Sequence, residues 1–237
     1  MVYFVWSEGV MRNSSFVSTR TLSGSSARVL RNAYVLLALT LVPTAIGAWV
    51  GMAMSWQFFM SSPIFASILL MAALFGLSYA IQRNSNSVMG VYLLFALTFV
   101  MGVTLGPLLT LALSLRNGPM LISYAAIATS FTLFGLSTWI TSTGKDLSSM
   151  GRFMFAGSIV LIVAIFANLF LNIPAFSLVI TSLIAMFSVM GIAYSLSAAV
   201  NGGETNYIIL ATSLYINLFN LFVSLLRLLI AFSGQRD

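Results

Sequence analysis

Asn206, Ser213, Asn217, Asn220, Ser224 and Arg227 recur near the C-terminus at spacings of seven, four, three, four and three. At about 100° per residue on an α-helix, these spacings set all six side chains on one stripe. The residues between them are apolar except for Thr212 and the hydroxyls of Tyr207 and Tyr215. A polar group facing lipid costs several kcal/mol, so the stripe is expected to face protein or a water-filled cavity. Its chemistry is hydrogen bonding, or a pathway for an ion. It is not acid–base catalysis, since amides and hydroxyls keep their protons near neutral pH.

The other reactive groups are few. Histidine and cysteine are absent, which removes the commonest general base, thiol chemistry, disulfides and the commonest metal ligands. No nucleophile–base pair, metal-ligand cluster or phosphate loop can be read, so no catalytic residue, metal or cofactor is expected. Glu204 is the one acidic residue between Asp146 and Asp237. It stands just before the last apolar segment, where a helix dipole favours a carboxylate and where Thr205 or Asn206 can cap. A gate, or an ion pair with Arg28, Arg31 or Arg83, is its alternative role. Lys145 and Asp146, followed by Arg152, read as a solvated loop or as a docking surface. Gly102 and Gly106 form a GxxxG pair followed by Pro107. Close packing is the first expectation there, with a cavity-lining helix break as the alternative. Asn168 and Asn172 share a helix face and suit hydrogen bonds between helices.

The elements that carry these residues are membrane spans. Of 237 residues, 60% are hydrophobic and 6% charged, against about 25% charged in soluble domains. Seven apolar segments are long enough to cross a bilayer, which takes about 20 residues each. They cover roughly 33–54, 64–81, 88–113, 122–140, 153–171, 176–200 and 207–232. Short connections favour antiparallel neighbours in one bundle, without internal repeats. A helix with a polar stripe belongs at the centre of such a bundle, so the last one is placed there. The fold class is thus all-α, with residues 32–237 forming the transmembrane domain. Residues 1–31 read as a flexible, basic, serine-rich tail without a secretory signal. Met1–Val10 differs from the rest of that tail, so Met11 is an alternative start.

The net charge is +6. In so apolar a chain it sets orientation in the membrane and does not point to nucleic acid. With the N-terminus in the cytoplasm, Arg12, Arg20, Arg28, Arg31, Arg83, Lys145 and Arg152 lie inside. Arg116 and Arg236 lie outside, and Arg227 falls within the last span. The C-terminus is then periplasmic. Trp49, Trp56 and Trp139 suit interfacial belts.

The run Gly202-Gly203-Glu204-Thr205-Asn206-Tyr207-Ile208 resembles the C-terminal signature of the Bax inhibitor family. Ser213-Leu214-Tyr215 and Asn220-Leu221-Phe222-Val223-Ser224 extend it. Val29–Tyr34, Leu105-Gly106-Pro107, Gly144–Ser148 and Ala167–Leu171 resemble further segments of its bacterial YccA-type branch. The resemblance implies a seven-helix bundle with the last helix central. It also implies one of two functions. YccA-type members are inner-membrane proteins that bind and modulate the membrane-bound AAA protease FtsH. Other members are pH-sensitive leak channels for calcium, gated by a carboxylate pair on the last two helices. That pair would fall at Ser195 and Asn217, and both are neutral here. Neutral side chains share no titrating proton and hold a divalent cation poorly. The expectation is therefore a multi-pass regulator of the bacterial inner membrane that competes for the protease in the lipid bilayer, with the tail as its handle. A calcium or proton leak channel or transporter is the alternative. The sequence leaves oligomeric state open.

Overall fold

The computed structural model describes residues 23–56, 61–171 and 173–233. Among them lie seven α-helices and no strand. They are α1 (Gly24–Ala53), α2 (Pro63–Arg83), α3 (Val88–Ser114), α4 (Gly118–Thr143), α5 (Met150–Leu171), α6 (Pro174–Val200) and α7 (Tyr207–Ser233). All seven are long and apolar enough to span a membrane. Large apolar side chains such as Phe131, Phe134, Phe155 and Phe170 point outward. A soluble protein hides such residues; here the outer solvent is lipid and the helices are apolar all round. The chain is a seven-span membrane protein.

Local sequence sets the helix ends. Pro63, Pro119 and Pro174 sit in the first turns of α2, α4 and α6, where a missing N–H costs nothing. Gly144 ends α4 at φ 60°, a left-handed conformation that glycine adopts without strain.

One boundary departs from expectation. α1 begins at Gly24, within the stretch read as tail. Ser23 caps it, accepting from the Ser26 N–H at 3.2 Å. Ser26, Leu30 and Ala33 then recur on one face and are buried. The arginines at 28 and 31 hid this turn from a hydropathy reading, because they occupy the exposed face. Residues 1–22 of the tail, with Arg12, Arg20 and Met11, lie outside the described residues.

α7 occupies the middle and packs against α1, α2, α3, α4 and α6. Ile208, Leu210, Leu214 and Leu226 on it are fully buried. α5 sits at the edge, its packing almost wholly against α6, where Phe153 stacks on Phe187 with ring centres 6.0 Å apart.

α1 and α3 form the most extensive helix pair, and glycines on both sides let their backbones touch. A Cβ on Gly102 would overlap the Thr44 backbone, and one on Gly106 the Gly51 backbone. Gly47 and Gly51 on α1 answer against Phe99 and Val103. The GxxxG pair is thus a packing surface, and α3 runs on through Pro107 unbroken. Proline leaves the Val103 carbonyl without its usual helix donor. Gly51 packs directly over that oxygen, a position from which a Cα–H can cover it.

Candidate functional site

The polar stripe of α7 does different things along its length. At its start, Asn206 Oδ1 accepts from the Ile208 and Ile209 N–H groups at 2.8 and 3.3 Å. Asn206 is therefore the N-cap, one of the two residues considered for that role. Its Nδ2 donates to the Ser85 carbonyl and to Asn86 Oδ1, both at 2.9 Å. Glu204 Oε1 accepts from the Asn206 N–H at 2.7 Å, so the carboxylate braces the capping residue.

The neighbouring loops meet at the same end. Ser197 on α6 donates to the Lys145 carbonyl at 2.8 Å and accepts from the Leu147 N–H at 2.9 Å. Leu147 is buried, so the loop that carries Lys145 and Asp146 is clamped by its backbone. Its charges stay outward: Lys145 Nζ lies 5.5 Å from the Trp139 ring, and Asp146 Oδ1 accepts from the Ser148 N–H at 2.8 Å.

Deeper in the bundle the stripe turns toward α6. The hydroxyls of Ser195 and Ser213 are 2.8 Å apart. Ser195 commits its proton to the Gly191 carbonyl at 2.8 Å, so Ser213 is the donor between the two. Asn217 Nδ2 donates back to the Ser213 carbonyl at 2.8 Å. Its amide fills the space where Gly191 lacks a side chain. Ser195 and Asn217, from different helices, are thus joined through Ser213 and Gly191 in one neutral, hydrogen-bonded seam.

The rest of the stripe is looser. Asn220 is half-buried and has no hydrogen-bond partner among the described residues. Ser224 is buried, and Arg227 is exposed. Arg227 lies within two turns of the end of α7, close enough for its long side chain to reach the membrane surface. On α5, Asn168 Oδ1 is buried without a partner among the described residues. Among the described residues the interhelical bond expected of it is absent; α5 packs almost wholly against α6, which limits the partners within reach. Asn172 lies outside the described residues.

Residues given no role of their own in the sequence complete the polar interior. Tyr215, one turn after Ala211 on the buried side of α7, is 2.7 Å from the Thr44 hydroxyl of α1. Thr44 gives its own proton to the Thr40 carbonyl at 2.7 Å, so Tyr215 donates to Thr44. Gly191 is the other omission. It stands four residues before Ser195, and that small-xxx-small spacing was the available signal.

Residues 26–234 match the family described as "Inhibitor of apoptosis-promoting Bax1". A relative from Escherichia coli K12, named "Modulator of FtsH protease YccA", is 37% identical over 210 residues, spanning 89% of this chain and 93% of its own. The relative from E. coli O6:H1, with the same identity and coverage, is named "Inner membrane protein YccA". An uncharacterized protein of Pseudomonas aeruginosa is 38% identical over 216 residues, 91% of this chain and 93% of its own.

Proposed function

We propose, from the premise that this chain belongs to the Bax inhibitor family, that it is a non-enzymatic regulator of the bacterial inner membrane which binds the AAA protease FtsH and modulates it. Similarity along nearly the whole chain to a named modulator of that protease supports the reading. The observation that carries it is the α6–α7 seam. Hydroxyls, an amide and a glycine fill the bundle centre there and hydrogen-bond to one another. A centre of this kind offers no titrating pair for a gate and no base to activate its serine hydroxyls. Action is then left to the outer surfaces. The mechanism is competition: the bundle engages the protease complex within the bilayer and slows its handling of other membrane proteins. The basic N-terminal segment faces the cytoplasm, where an ATP-driven protease can grip it, and the C-terminus is periplasmic.

Isolation of the tagged protein from mild-detergent extracts of native membranes tests this. The protease is expected to co-purify, and removing this chain is expected to speed degradation of a membrane-protein reporter. Unchanged reporter turnover together with no co-purified protease overturns the proposal. A leak pathway is the second reading, favoured by the continuous polar contact from Ser195 through Ser213 to Asn217. Cation flux through vesicles of the purified protein separates the two.

A further inference from the structure

α1 and α4 do not form a packed pair. Between them a groove of about 670 Å³ opens sideways, floored by Leu218, Phe219 and Phe222 of α7. Its walls run from Tyr34 to Thr44 on α1 and from Ala126 to Ser137 on α4, about 15 Å at 1.5 Å per residue. The lining is almost wholly apolar except at its ends. At one end Tyr34 Oη and Ser137 Oγ meet across the groove at 2.6 Å. Two hydroxyls bound to one another use one proton. The other finds no acceptor among the described residues, so a donor is left over at this end. Arg31 stands one turn before Tyr34, on the same side of α1, and is exposed.

We propose that this groove holds one acyl chain of a membrane phospholipid, with the ester and phosphate at the Tyr34–Ser137 and Arg31 end. Three features select this occupant. The volume suits a single small-molecule chain, for which sites run about 300–1,000 Å³. The leftover hydroxyl proton matches an ester or phosphate oxygen, and the Arg31 guanidinium matches the phosphate charge. The depth also fits. α1 has 30 residues and is about 45 Å long, against about 30 Å of hydrocarbon. Arg31, about 10 Å from its start, then lies a few ångströms inside the edge of a centred hydrocarbon layer, from where its long side chain reaches the headgroups. The site is independent of the protease reading.

The test uses purified full-length protein in phosphatidylcholine vesicles containing a little phosphatidylglycerol with a photoreactive acyl chain. After illumination, adducts are mapped by mass spectrometry. They are expected to concentrate on the facing sides of α1 and α4. The double variant Ala38→Phe/Ala126→Phe, which fills the groove from its rim, is expected to cut that labelling about tenfold. Arg31→Gln is expected to lower it about fivefold for the anionic lipid and to lower it less for a photoreactive phosphatidylcholine, whose choline competes for the same phosphate. Ala128→Phe, on α4 outside the groove, leaves both at the natural level. Gel filtration and helical circular dichroism confirm that each variant is folded; should the double variant fail, Ala126→Phe alone carries the same expectation. Labelling spread evenly over all seven helices and equal in every variant overturns the proposal. So does a transmembrane segment of another protein found cross-linked in the groove when native membranes are used.

Discussion

Gly191 has no side chain, and the Asn217 amide occupies the space where one would lie. A methyl group there must displace the amide, since the opposing atoms sit well inside contact distance. Gly191→Ala is expected to destabilise the bundle by about 1–3 kcal/mol, the usual cost of overpacking. Thermal unfolding in detergent measures it, with Gly135→Ala as a control at a glycine facing open space. The same seam allows a gain-of-function test. Ser195→Asp with Asn217→Asp puts two carboxylates around the Ser213 position. Close carboxylates cannot both ionise, so one pKa rises. The double variant is expected to show pH-dependent calcium leakage in vesicles that the natural protein lacks. Equal, pH-dependent flux through both proteins removes the significance given to the neutral residues. Ser213 and Asn217 were visible in the sequence because polar residues in apolar runs stand out, and Ser195 through the family resemblance alone. Gly191 was not, because a glycine in a membrane helix has many uses and its partner lies on another element. Asn220 and Arg227 share the helical spacing of Asn217 but not its surroundings. Periodicity gives the side of a helix and not what lies opposite.

At the scale of elements, the α1–α3 pair depends on four glycines that bring carbonyl and Cα together. Gly106→Val is expected to separate the helices, costing about 2 kcal/mol or more, because rigid backbone opposes the new side chain. A cysteine pair placed across the seam reports it: cross-linking falls in the variant and is kept with Gly76→Val, where a Cβ meets nothing. The order of the helices was legible from hydropathy alone, and each of the seven described helices covers its expected apolar segment. The start of α1 was missed, since its first turns are amphipathic and follow the rules of an aqueous helix. The Gly47 and Gly51 half of the glycine seam has the same spacing as Gly102 and Gly106. Sequence gives each half separately; only the fold shows that they face each other.

For the whole molecule, the basic residues decide orientation. Arg28, Arg31, Arg83, Lys145 and Arg152 are placed by alternating spans at one end of the bundle. A cytoplasmic start of α1 and a periplasmic end of α7 are expected. A C-terminal alkaline phosphatase fusion is then active, and a fluorescent reporter that needs the cytoplasm is dark there; the reverse pattern contradicts the assignment. The central place of α7 has a consequence for how the protein is made. Of the seven described helices, the ribosome makes this one last. Until it arrives, six helices wait in the bilayer around an unfilled centre. Ser195 then lacks the hydroxyl of Ser213, and the Ser85 carbonyl lacks the Asn206 amide. The contacts at the centre of the bundle therefore form only once α7 has been inserted. A chain halted before α7 is complete lacks the partners that this helix brings to the centre of the bundle.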